Sequence, residues 1–243
     1  MAVSIHPQGK KRKEIAMGIK DQEKELFNKW ENQIGARKFV RDGVVHEDNF
    51  SKEKLKFVFV LKEANDLGMP LDKFLRMGAA TPDNGNGGHT FNPVCRWLTG
   101  EDRRYTCEDR AKILSRVAVM NLKKVDNGNA VTDMKVIEKT LSDPKYVEFL
   151  KQQYDLYTGF GPVIFVCCGT GIFDLFCERV LKLSTKEIDH NKKPVFMESK
   201  PKCWIMAFNH PNARKSGLAV LFQRYVKEIV GNILDDLGSI EEL

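Results

Sequence analysis

Four short apolar runs constrain this chain more than anything else in it. They are Phe57-Val58-Phe59-Val60-Leu61, Val117-Ala118-Val119-Met120, residues 163–168 and residues 203–208. Each is too short for a buried helix, is rich in β-branched and aromatic residues, and is apolar at successive positions. That is the signature of strands buried on both faces. Helical patterns separate them. Leu26, Trp30 and Ile34 recur at spacing four over residues 21–36, and short helices are expected at 70–77 and 94–98. Thr106 with Asp109 forms a capping-box pair opening a helix to 116, another helix covers 134–140, and Pro144 opens one over 145–157. The last helix, 217–237, carries an apolar stripe from Leu218 through Phe222, Val226 and Ile229 to Ile233. Strands alternating with helices predict a three-layer α/β/α sandwich around a four-stranded parallel sheet. All four strand carboxyl ends then share one edge, where open α/β sheets bind ligands.

The 243 residues read as a basic N-terminal arm, 1–20, with Lys10-Lys11-Arg12-Lys13, followed by one domain, 21–243. The formal net charge is +6, an excess that attracts polyanions. No apolar stretch is long enough to cross a bilayer and the N-terminus lacks a signal core, so a cytoplasmic protein without a membrane partner is expected. The six cysteines, at 95, 107, 167, 168, 177 and 203, show no C-x-x-C pairing. No zinc or iron–sulfur site is expected, and no cofactor. Cys167, Cys168 and Cys203 fall in apolar runs and read as buried thiols.

The strand ends carry the chemistry. The first stops at Lys62-Glu63-Ala64-Asn65-Asp66 and the second at Asn121-Leu122-Lys123-Lys124. The third stops at Gly169-Thr170-Gly171, which lacks the third glycine and the lysine of a phosphate cradle and reads as a tight turn. The fourth stops at Asn209-His210-Pro211-Asn212-Ala213-Arg214-Lys215, where Pro211 cannot continue a ladder. A turn-rich stretch, 81–88, precedes His89-Thr90-Phe91-Asn92-Pro93. Each piece also has a plainer reading. Asn65 and Asp66 are natural helix caps, His210 a turn residue, Phe91 a core ring and the lysines solvated charge. Together the ends make a basic rim that suits a phosphate-bearing ligand, a nucleotide or a nucleic acid.

In order and spacing, residues 57–216 resemble the uracil-DNA glycosylase superfamily. The resemblance rests on Glu63 after the first strand, Thr90-Phe91 after a glycine-rich loop, Asn121 at the second strand end, Gly169 at the third and His210-Pro211 at the fourth. Lys62, Asn65 and Asn212 stand where the family has glycine, proline and serine. The resemblance implies a monofunctional DNA glycosylase, a monomer acting on DNA. It would flip a base and hydrolyse its N-glycosidic bond to leave an abasic site. It implies Glu63, with Asp66 as substitute, for the sugar or the attacking water, and His210 as donor to the departing base. It implies Phe91, Asn121 and Asn65 around the base, and Arg214, Lys215, Lys123, Lys124 and Asn212 against the DNA. Uracil is the default base, and a hypermodified phage base in anti-phage defence is an alternative. Two further readings stay open: a nucleotide hydrolase or transferase, and a non-catalytic DNA-binding module on the same fold.

Overall fold

The computed structural model describes residues 17–35, 39–63, 69–79, 87–125, 133–213 and 215–231. Within these the chain is mixed α/β with a six-stranded sheet. The four expected strands are β2 (Lys56–Glu63), β3 (Ala118–Lys123), β4 (Val163–Cys168) and β6 (Cys203–Phe208), and neighbouring members of this group pair in parallel. Two strands correct the four-stranded expectation. β1 (Gly43–Val44) pairs antiparallel with β3, and β5 (Phe196–Lys200) antiparallel with β6, giving the order β1-β3-β2-β4-β6-β5. β1 is two residues long, and β5 carries charges at Glu198 and Lys200 on either side of a register shift. Short, charged and bulged strands are how sheet edges avoid further pairing, so neither has the apolar run of a central strand.

Alternation along the strands sends their side chains into two cores. Phe57, Phe59, Val119, Ile164 and Met206 pack with α3 (Leu71–Arg76), α4 (Gly87–Thr99), α5 (Cys107–Leu114) and α9 (Leu218–Val230). Val58, Val60, Met120, Phe165 and Ile205 pack with α1 (Ile19–Ile34), α2 (Glu47–Lys52), α6 (Met134–Thr140), α7 (Pro144–Thr158) and α8 (Ile172–Asp174). The sheet is therefore covered by helices on both faces. A π-helical turn, Leu175–Val180, continues α8.

Local signals set most helix ends. Thr106 Oγ accepts from Asp109 N–H at 3.1 Å while the Asp109 carboxylate accepts from Thr106 N–H at 3.3 Å, the reciprocal cap its sequence predicts. Asp143 caps α7 ahead of Pro144. α4 differs from expectation: it runs through Pro93 instead of starting after it. Burial of Phe91, Val94, Cys95, Trp97 and Leu98 on one face offsets the hydrogen bond that proline removes. Cys95, Cys167, Cys168, Cys177 and Cys203 are buried free thiols, and Cys107 is exposed. Among the described residues no helix is long and apolar enough to cross a membrane.

The path of the chain marks one place on the sheet. It leaves β2 for α3–α5 on one face, and leaves β4, the neighbour of β2, for α8 on the other. Connections that diverge to opposite faces open a crevice at the carboxyl ends of the two strands.

Candidate functional site

The carboxyl ends of the central strands carry three of the residues singled out from sequence: Glu63 on β2, Lys123 on β3 and His210 beyond β6. Glu63 is the last residue of β2, in register with Lys123 on β3. Lys123 Nζ lies 3.0 Å from Glu63 Oε2 and donates a second bond to Val125 O at 2.5 Å. Both side chains are more than nine-tenths covered, so the pair is shielded from the screening that weakens surface ion pairs. The carboxylate is thus held in place by the Lys123 side chain.

His210 follows β6 by two residues. The β4–β6 ladder extends one step past the strands, Gly169 N–H donating to Phe208 O at 2.9 Å. Gly169 has φ 109°, and a Cβ there would stand 3.6 Å from His210 Cδ2. Glycine therefore serves both the turn and the seat of the imidazole. Asn212 N–H donates to His210 Nδ1 at 3.1 Å, which makes Nδ1 an acceptor and leaves the ring proton on Nε2. Partial burial lowers the His210 pKa, and the charge of Lys62 lowers it further. Both causes favour the neutral ring, a donor through Nε2–H. Lys62 precedes Glu63 in β2, so the two side chains leave the sheet on opposite faces. The carboxylate itself turns to Lys123 and the ring to Gly169.

Asn121 lies inside β3, because the strand runs three residues further than its apolar run. It is fully buried. Its backbone N–H and its Nδ2 both donate to Asp42 Oδ2, at 2.6 and 3.0 Å. Its Oδ1 is buried without a hydrogen-bond partner. Lys124 Nζ lies 2.6 Å from both Asp42 oxygens and 2.8 Å from Gln153 Oε1. Burial pushes the Lys124 pKa down and Asp42 pulls it back. Gln153 donates to Asp42 Oδ1 and to Tyr157 Oη, which donates to Glu23 Oε1. Burial raises the Glu23 carboxyl to about 7, against the pull of Lys20.

Several sequence expectations are corrected here. Lys123 and Lys124 are not a surface pair for phosphate: one is engaged by Glu63 and the other is sealed against Asp42. Phe91 is not an open stacking platform: it is buried, edge-to-face against Phe74 with ring centroids 6.5 Å apart. Asn212 and Lys215 are exposed, as a DNA contact requires. Asn65, Asp66 and Arg214 lie outside the described residues. Asp42, Glu23, Gln153 and Tyr157 were missed, because the bonds Asn121–Asp42, Gln153–Asp42 and Tyr157–Glu23 that assemble them span 79 to 134 residues of chain and carry no local motif. Among the described residues no group of three or more His, Cys, Asp or Glu side chains is placed to hold a metal ion. Compared with known proteins, the chain matches no family model and no curated protein.

Proposed function

We propose that this protein is a DNA glycosylase that hydrolyses the N-glycosidic bond of an extruded base, acting as a monomer without a metal or cofactor. The observation that carries the reading is His210, held neutral with Nε2–H as its donor at the crevice where the β2 and β4 connections diverge. Breaking the bond puts positive charge on the sugar and negative charge on the leaving base. A preorganised donor stabilises the anion and a carboxylate stabilises the cation or polarises the water. Glu63, paired with Lys123, suits an electrostatic or water-orienting role rather than that of a proton donor. Lys215 and Asn212, both exposed, contact the DNA backbone.

Duplex and single-stranded oligonucleotides carrying uracil, hypoxanthine or glucosylated hydroxymethylcytosine test this, with abasic sites as the readout. Wild type forms abasic sites on one of them, and the Glu63→Gln and His210→Ala variants lose that activity. Variants as active as wild type remove the site assignment. Tight binding of free nucleotides with weak DNA affinity instead points to a nucleotide hydrolase or transferase. Salt-sensitive DNA binding without product on any base points to a non-catalytic module.

A further inference from the structure

The carboxyl end of β6 lies between two basic loops, one on each face of the sheet. Residues 211–217 lead from it to α9, on the face of Phe57 and Phe59, and carry the exposed Lys215. The second loop, residues 189–195, returns from the α8 side and enters β5. It is pinned at both ends. The His190 ring stands edge-to-face on the buried Phe173 with centroids 6.3 Å apart, and its Nε2 lies 3.5 Å from Asp174 Oδ1, both partners being on α8. Pro194 and Val195 are buried, and Val195 O accepts from Ala207 N–H of β6 at 2.8 Å. Between the pins a turn closes on Asp189. Its carbonyl accepts from Lys192 N–H at 3.1 Å and its carboxylate from Asn191 N–H at 2.9 Å. Lys192 and Lys193 are left exposed, and neither pairs with a carboxylate among the described residues.

The loop is also placed beside the imidazole. Ala207 precedes Phe208, whose carbonyl takes the Gly169 N–H, and Gly169 is the seat of His210. Phe173 and Val195 both belong to the core on the other face of the sheet from α9. The loop therefore passes the carboxyl ends of β4 and β6 on the side away from Lys215. Its two pins remove most of the ordering that a free lysine loop would cost on binding. Two ammonium groups held this way suit a ligand with regularly spaced negative charge.

We propose, on the strength of the glycosylase reading above, that the 189–195 loop is a second clamp on the DNA backbone, holding phosphates on the side of the extruded nucleotide opposite to Lys215. His210 then stands between two phosphate contacts, one from each face of the sheet. Such contacts set the register of the duplex and carry no base preference of their own.

The test uses a duplex with one abasic-site analogue, the product shape for any base, and fluorescence anisotropy from about 50 to 200 mM salt. Wild type is compared with Lys192→Ala/Lys193→Ala and with Lys24→Ala/Lys29→Ala. The last removes the same charge from exposed positions on α1, at the β1 end of the sheet. The loop variant is expected to lose about two phosphates of salt dependence, so that wild type weakens about tenfold more than it does across that range. The α1 variant is expected to follow wild type. Flank length adds a readout that a weakened fold does not move. Cutting the duplex to about three base pairs on one side of the analogue should erase the difference between wild type and loop variant, and cutting the other side should keep it. A loop variant with the wild-type salt dependence overturns the inference. So does an α1 variant that loses as much, or a difference that survives both cuts. Abasic product from wild type, with an unchanged loop variant, ends the inference and leaves the glycosylase standing. A salt response that depends on the loop and on one flank, without product on any base, ends the glycosylase reading and leaves the clamp.

Discussion

Lys123 and Lys124 are neighbours in sequence and serve two buried ion pairs on opposite faces of the sheet. Lys123 points to the face of Phe57 and Phe59, pairing with Glu63 at the rim of the sheet. Lys124 points to the other face, over the rings of Phe27 and Trp30, and pairs with Asp42 where no water reaches. The rim pair closes β2 at Glu63, the last residue of the strand, and adds the Val125 carbonyl. The inner cluster ties α1, the β1 edge, β3 and α7 together through Glu23, Asp42, Gln153 and Tyr157. The ion pair at the strand terminus keeps a sliver of exposure, on Glu63, at the end of β2. The same pair one residue on specifies structure, since any unpaired member would be a buried charge.

The sharpest way to break that contrast is to remove one charge from each cluster. Lys124→Met strands Asp42 in the interior, and urea denaturation should register a loss of about 3–5 kcal/mol. The double variant with Asp42→Asn should recover most of it. His210→Ala at the rim should leave folding stability within about 0.5 kcal/mol while lowering the rate on the best substrate by roughly 10²–10³. A rim variant that unfolds the protein erases the distinction. Gly43→Ala probes the inner cluster through the backbone. Gly43 has φ 116°, and a Cβ would stand 2.4 Å from Glu23 Oε1. Thermal melting should show a loss of about 1–3 kcal/mol, the scale of such strain.

Titration separates the clusters more gently. The Glu23 pKa is raised from 4.5 to about 7, so the folded state holds its proton more tightly than the unfolded chain does. Stability is therefore full below pH 4.5, falls as pH rises toward 7, and is flat above. Denaturation at a series of pH values should show that slope, and Glu23→Gln should flatten it. At the rim the sign is opposite for activity. Protonating Nδ1 breaks the bond from Asn212, so the rate should fall on acidification, with its midpoint below the ordinary histidine value. Lys62→Met should move that midpoint to higher pH, the smallest of these effects.

The central strands, their order along the chain and most helices were legible, because apolar runs and caps such as Thr106–Asp109 are local. Glu63 and His210 were legible as strand-end residues for the same reason. The edge strands were not: Phe196–Lys200 has the composition of a loop, and Gly43–Val44 is too short to show a period. The end of β3 was misplaced because Asn121 and Lys123 break the apolar run. Both polar side chains stay inside the sheet because Asp42 and Glu63, 79 and 60 residues away, supply their partners.

By itself the amino-acid order determined that strands and helices alternate and which residues stand at the strand ends. Spacing, capping and β-branching act over a few residues and need no distant partner. Only the folded chain decided which of those polar residues face a crevice and which are locked in the interior. Burial turns each charge into a demand for a partner, and the partners of Asn121, Lys123 and Lys124 come from parts of the sequence that no local pattern joins.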